Sequence, residues 1–232
     1  GQLILEEGAA GERYVLTANG RLHLTRRTAT ALLNLGGAAS GDRLALAVTI
    51  APEDDVLDLN AHVNAPTGGA LAGYLGTRHG FTFSLRGDGT WARWRGAVDA
   101  SYGDAPLLAL ALAADDGHFR LNGDVLPAPD LPLLLRRLLA TGGAVDLDAT
   151  ARKGTVDTRL SLRSDVIAVE GAGRVEIRSG RLHDAHATAR LGDIADLVPG
   201  IRSAPITARL TAEGLVQHPK LEIVGRSDAL HL

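Results

Sequence analysis

The stretch Leu44-Ala45-Leu46-Ala47-Val48-Thr49-Ile50-Ala51-Pro52-Glu53-Asp54-Asp55-Val56-Leu57-Asp58-Leu59-Asn60-Ala61-His62-Val63-Asn64 decides the fold. Leu44, Leu46, Val48 and Ile50 alternate with Ala45, Ala47 and Thr49. Successive side chains of a strand point to opposite faces, so period two over this length predicts a strand with one face buried. Pro52 to Asp55 is a turn. After it Leu57, Leu59, Ala61 and Val63 oppose Asp58, Asn60, His62 and Asn64, one apolar face and one wet.

The same pattern extends in both directions. Upstream, Arg13 to Thr17 and Leu22 to Thr25 read as strands, with the Asn19-Gly20 pair as the hairpin signal between them. Ala31, Leu33 and Leu35 then share a side. Downstream, Phe81, Phe83 and Leu85 form a strand that Gly87-Asp88-Gly89 turns into one carrying Trp94, Val98 and Ala100. Leu108, Leu110 and Leu112 follow, and Asp115-Asp116-Gly117 turns into Phe119, Leu121, Gly123 and Val125. Val145, Leu147, Ala149 and Ala151 oppose Asp146, Asp148 and Thr150; Lys153-Gly154 turns into Val156, Thr158, Leu160 and Leu162. Ile206, Ala208, Leu210 and Ala212, then Leu221 and Ile223, close the series. Turns recur every 8–12 residues and no βαβ spacing is present, which predicts an all-β, mainly antiparallel fold.

One clear helix interrupts the strands. In Asp130-Leu131-Pro132-Leu133-Leu134-Leu135-Arg136-Arg137-Leu138-Leu139, the residues Leu131, Leu134, Leu135, Leu138 and Leu139 form a stripe at helical spacing. Asp130 suits the N-cap, Pro132 the first turn, and Gly142-Gly143 the end. Arg136 and Arg137 suit the C-terminal end of the dipole. The stripe is expected to pack on protein, covering the sheet. Shorter candidates are Thr67 to Gly76 and Asp193 to Gly200. The cap residues Thr67, Asp130 and Asp193 are separated by 130 − 67 = 63 and 193 − 130 = 63 residues. This interval predicts repeated units at 1–66, 67–129 and 130–192, with a further one beginning over 193–232, stacked so that each leans on the next.

Composition bounds the function. The chain of 232 residues is 45% hydrophobic with a net charge of −3, enough to build a core and without a basic block for nucleic acid. Its 28 glycines exceed the usual share of roughly 7% and suit many tight turns. It holds no Cys, hence no disulfide or thiolate metal site. No apolar run is long enough for a membrane-spanning helix, and no signal peptide is visible. Residue 1 is Gly and no Met occurs, so the chain reads as an internal piece of a longer protein.

No catalytic constellation emerges. His183 and His186 at i, i+3 are expected on opposite faces of a strand, unsuited to a shared metal. Asp184 with His186, and Asp146 with Asp148, share faces but read as solvated. Gly87-Asp88-Gly89 and Gly171-Ala172-Gly173 read as turns or bulges rather than phosphate cradles. The stretch Trp91 to Arg95 reads as sheet packing rather than base stacking. G-x-S-x-G, H-E-x-x-H and the P-loop are all missing from the sequence. No enzymatic activity, metal or cofactor is expected. The apolar face is the stronger signal, and alternation alone leaves two readings: a plain protein core, or a groove that accepts acyl chains.

Two phrases resemble the TamB and AsmA-like superfamily of Gram-negative envelope proteins. Gly87-Asp88-Gly89-Thr90-Trp91-Ala92-Arg93-Trp94-Arg95-Gly96 is similar to the glycine- and tryptophan-bearing hairpin of TamB-type repeats. Leu191 to Pro199, then Ile206 to Gly214 and His218-Pro219-Lys220-Leu221-Glu222-Ile223, is similar to the family's helix, strand and Pro-containing turn. The resemblance runs from about residue 40 onward. It implies an elongated, curved repeating β-groove of taco-shaped modules in a bridge-like protein. Such proteins are anchored in the inner membrane, here through a segment outside this chain, and cross the periplasm to an Omp85-type outer-membrane partner (TamA or BamA). They carry phospholipid and support outer-membrane protein assembly.

On that reading the groove floor comprises Leu44, Leu46, Val48, Leu57, Leu59, Val63, Phe81, Phe83, Leu85, Trp94, Val98, Leu108, Leu110, Leu112, Phe119, Leu121, Val145, Leu147, Val156, Leu160 and Leu162. The partner implied is phospholipid, with no nucleic acid. The alternatives are a structural β-solenoid spacer with a dry core, and a chaperone-like module that offers strand edges to outer-membrane β-barrel proteins.

Overall fold

A computed structural model describes residues 2–5, 14–37, 40–74, 77, 79–90, 92–192, 202–203, 205–216, 218–227 and 230–231. Strands dominate, as the alternation predicts. They run β1 (Gln2–Leu5), β2 (Tyr14–Leu24), β3 (Ala29–Gly36), β4 (Arg43–Ala51), β5 (Val56–Ala65), β6 (Phe81–Gly89), β7 (Arg93–Tyr102) and β8 (Ala105–Asp115). The series continues with β9 (His118–Val125), β10 (Gly143–Arg152), β11 (Thr155–Arg163), β12 (Ile167–Glu176), β13 (Arg181–Leu191), β14 (Arg202–Ser203), β15 (Ile206–Leu215), β16 (His218–Ser227) and β17 (Leu230–His231). Two short helices are described, α1 (Ala70–Tyr74) and α2 (Leu133–Leu138).

The chain divides into two units, Gly1–Asp116 with Ala128–Leu131, and Gly117–Pro127 with Pro132–Leu232. In the first, β1 to β8 form a meander, each strand antiparallel to the next. In the second, β9 to β13 do the same and continue through β15 to β16. A separate pair joins β14 to β17. Neither meander closes on itself.

The strands repeat at a near-constant interval. From the first residues of β6 and β10 the spacing is 143 − 81 = 62; from β7 and β11, 155 − 93 = 62; from β8 and β12, 167 − 105 = 62; from β9 and β13, 181 − 118 = 63. The helices give 133 − 70 = 63. Four strands separate α1 from α2, and four more follow α2 up to Leu191. The expected helix over Asp193 to Gly200 lies outside the described residues, as do Leu75 and Gly76 of the first.

Several local expectations are corrected. Asn19-Gly20 is not a turn. Strand β2 runs through it, with Asn19 opposite Asn34 and Gly20 opposite Leu33. The chain reverses at Thr25, whose Oγ1 accepts from the N–H groups of Arg27 and Thr28 at 3.2 and 2.9 Å. Gly87-Asp88-Gly89 likewise continues β6, pairing with Gly96, Arg95 and Trp94. That reversal is closed by Thr90, which accepts from the Arg93 N–H at 2.8 Å. A threonine hydroxyl satisfying the backbone at a strand end outweighs a glycine that can equally lie extended. Gly171-Ala172-Gly173 is not a turn but lies within β12, and the pairing with β13 shifts register between Ala172 and Arg174, so the expected bulge falls here. Lys153-Gly154 is a turn as expected, with φ of 48° and 84°.

The helices are capped differently from expectation. Pro132, at φ −49°, is the N-cap residue of α2, and no side chain bonds to its first turn. Leu131 precedes a proline, which disfavours helical backbone there, so the helix starts later than Asp130 could reach. Asp130 instead packs against Gly103 and stands 3.7 Å from His79 Nδ1. The leucine stripe is only partly packed: no residue of α2 is buried and Leu134 and Leu135 are exposed, while Leu131, Leu138 and Leu139 are half-buried. For α1 the cap comes from far away in sequence. Asp42, 2% exposed, accepts from the N–H groups of Ala70 at 2.7 Å and Leu71 at 3.1 Å. Thr67, the expected cap, accepts instead from the Gly80 N–H at 3.0 Å.

Candidate functional site

The pairing register fixes which side chains share a face, because cross-strand partners point the same way. In the first unit Leu33, Leu46, Ala61, Leu85, Val98 and Leu110 form one row across β3 to β8. A second row is Leu35, Leu44, Val63, Phe83, Ala100 and Leu108, and a third is Ala31, Val48, Leu59, Gly87, Gly96 and Leu112. Ile50 with Leu57, Phe81 with Tyr102, and Trp94 opposite Gly89 extend the same face. In the second unit one row is Leu121, Leu147, Leu160, Gly171, Ala187, Leu210 and Ile223. Val145 and Leu162 head another row, Phe119 lies in the Ala149 row, and Val156 is opposite Ala151. Every expected floor residue therefore lies on the apolar face of its unit's sheet.

That face is not sealed. Of the expected floor residues only Val98 is buried; Phe119 and Leu160 are exposed and the rest keep part of their surface. On the same faces Leu22 and Leu24 are 66% and 65% exposed, and Ile223 is 69% exposed. Leu16 is the one large side chain that is fully buried among the described residues.

Two features shape the face. Trp94 lies across Gly87 and Gly96, whose missing side chains leave room for the indole; a Cβ on Gly96 would meet the ring at 2.5 Å and one on Gly87 would enter it. Its Nε1 is buried without a hydrogen-bond partner among the described residues. Trp94 thus packs the sheet, as expected; Trp91 lies outside the described residues. In the first unit α1 stands over β2 to β4 and bounds an apolar cavity of about 280 Å³ lined by Leu16, Leu35, Gly36, Asp42, Leu44, Leu71 and Tyr74. Only Leu44 of these is among the expected floor residues. Leu71 and Tyr74, at i and i+3 on a short helix, were legible as one face; that α1 folds back over β2 to β4 was not.

The opposite face is charged. Arg163 pairs with Glu170 at 3.0 Å, Arg174 with Asp157 at 2.6 Å, and Asp148 lies 3.4 Å from both Arg120 and His118. All are substantially exposed, where such pairs contribute little. Asp146 and Asp148 both sit on this wet face. One expectation is overturned here. His183 and His186 share a face, since they pair with Arg174 and Ala172, two residues apart on β12. A bulge absorbs the extra residue, with Asp184 at φ 51°. The shared face does not assemble a metal site: among the described residues no group of three or more His, Asp or Glu is placed to hold an ion.

Among the described residues no helix is long and apolar enough to cross a membrane. Comparison with family models, with curated proteins and with solved structures yields no match to any of them.

Proposed function

We propose that the apolar faces of these sheets carry phospholipid acyl chains, and that the chain is a segment of a bridge-like protein of the TamB and AsmA-like kind, acting in the periplasm between inner and outer membrane. The observation that supports this reading is the open apolar face: row after row of Leu, Val and Phe on one side of each sheet, with Val98 the single buried member of the floor. Soluble monomers rarely leave a contiguous apolar patch larger than a few hundred Å² uncovered. An acyl chain covers such a face without a specific partner residue. Each methylene removed from water contributes about 0.8 kcal/mol, and the attraction has no direction, so a chain can slide along a row. No catalytic group is required, and the docking partner of the whole protein would be an outer-membrane protein of the Omp85 type.

The test is native mass spectrometry with lipid extraction on the chain purified from an envelope fraction. The expected result is co-purifying phospholipid that is lost in Leu110→Asp and Leu147→Asp variants that remain folded. A lipid-free protein, with those variants unfolding, would make the face an ordinary core and the chain a spacer.

One observation favours the second reading, a chaperone-like module. Strand β16 is exposed along its length and, among the described residues, pairs only with β15. Such an edge can accept an incoming strand. An Ile223→Pro variant that loses binding of unfolded outer-membrane strands yet keeps lipid would support augmentation at this edge.

A further inference from the structure

The wet face of the second unit carries a square of hydrogen-bond donors with no acid inside it. Thr188 and Arg190 on β13 stand opposite Arg209 and Thr207 on β15. The two arginines are diagonal neighbours, about 7–8 Å apart at the backbone, within reach of a common ligand. All four residues line a trough of about 570 Å³ on the sheet surface. Among the described residues two acids flank the square: Glu170, opposite Thr188 and held by Arg163 at 3.0 Å, and Glu222, opposite Thr211 on β16 and so a diagonal neighbour of Arg209, with which it makes no ion pair. Asp148 is engaged by Arg120 and His118. Asp146 is in the Arg209 row but four strands away, about 19 Å at ordinary strand spacing. Among the described residues neither Arg190 nor Arg209 makes an ion pair or a side-chain hydrogen bond.

Two unneutralised guanidinium groups flanked by two hydroxyls match a tetrahedral dianion, which can accept paired bonds from each fork. The trough falls in the size range of small-ligand sites. Leu160 is the one large apolar residue at the trough, and its side chain belongs to the opposite, apolar face, so nothing here would hold acyl tails. From this we infer that the Thr188–Arg190–Thr207–Arg209 square binds the phosphate group of a soluble phosphate monoester. The assignment is independent of lipid on the opposite face.

The experiment is an NMR titration of the full chain with inorganic phosphate and with glycerol 3-phosphate, at ionic strength held constant with NaCl. The expected result is saturable shifts of the Arg190 and Arg209 Nε–H signals and of the Thr188 and Thr207 amides. Arg190→Gln or Arg209→Gln should weaken binding roughly tenfold, the double variant should abolish it, and Arg95→Gln should leave it unchanged. Shifts that are the same with chloride, or that survive in the double variant, overturn the proposal. So does binding seen only with vesicles containing phosphatidic acid, which would make the ligand a lipid headgroup. If the double variant does not fold, Thr188→Val/Thr207→Val serves: several-fold weaker binding supports the site, and unchanged affinity overturns it.

Discussion

Replacing Asp42 by Ala should cost the first unit far more than a turn residue between two strands normally would. The Asp42 carboxylate is 2% exposed and accepts two backbone N–H groups, from Ala70 at 2.7 Å and from Leu71 at 3.1 Å. Hydrogen bonds to a charged group contribute about 1.5–3 kcal/mol each, and here the donors would be left unpaired at a helix start. The lower bound for each gives about 3 kcal/mol, above the usual loss of roughly 0.5–2 kcal/mol for a helix cap. In a unit of this size that is a drop of about 12 °C in Tm. The assay is urea unfolding followed by tryptophan fluorescence. Both tryptophans of the chain, Trp91 and Trp94, belong to the first unit, so the signal reads that unit alone. Asp42→Asn should lose about half as much, since its amide offers one acceptor and turns a donor toward the second N–H. Because α1 bounds the apolar cavity with Leu71 and Tyr74, the Ala variant should also bind an apolar dye differently. A loss below about 0.5 kcal/mol, or one no larger than that of Asp58→Ala on the wet face of β5, would refute the assignment of Asp42 as the cap of α1.

Three further outcomes follow from single features. Gly87→Ala would place a methyl in the Trp94 ring, so it should cost about 2–3 kcal/mol and shift the tryptophan emission; unchanged emission would mean the indole does not lie on Gly87. Deleting Asp184 removes the bulge residue and leaves Leu182 and Ala185 on the same side, so the deletion should change Tm by less than about 4 °C, whereas deleting Ala187 from the regular ladder should unfold the second unit; equal effects from both deletions would count against the bulge. Leu134→Asp should change stability by less than about 0.5 kcal/mol because the side chain is exposed on α2; a loss above about 2 kcal/mol, measured by thermal unfolding, would show that the stripe is packed.

Most of the sheet was legible because its cause is local. Period two in Leu44 to Ile50 and Leu57 to Val63 needs only the pleat of a strand, and the expected floor residues fall on the apolar faces for that reason. The 63-residue interval was visible from the helix starts, and the strands repeat at 62 or 63. Expectations that relied on residue type without a partner did less well. Asn19-Gly20 and Gly87-Asp88-Gly89 allow a turn but do not compel one, and the neighbouring strands hold both extended. The hydroxyl bonds of Thr25 and Thr90 are local, reaching residues two or three positions on, but threonine suits the interior of a strand as well as its end, so residue type did not mark these two as the reversals.

The amino-acid sequence by itself determined the strand class and the division of each strand into an apolar and a wet side, since these depend on neighbours one or two residues away. Tertiary structure alone decided the rest. Asp42 reaches a helix 28 residues later, Trp94 settles on glycines of two strands, and the bulge at Asp184 brings His183 and His186 to one face. Among the described residues no helix buries its side chains over most of the apolar side: α2 has none buried, and α1 covers one corner of the first unit's face. Whether an apolar face becomes a core depends on what packs against it, and no pattern along one strand carries that information.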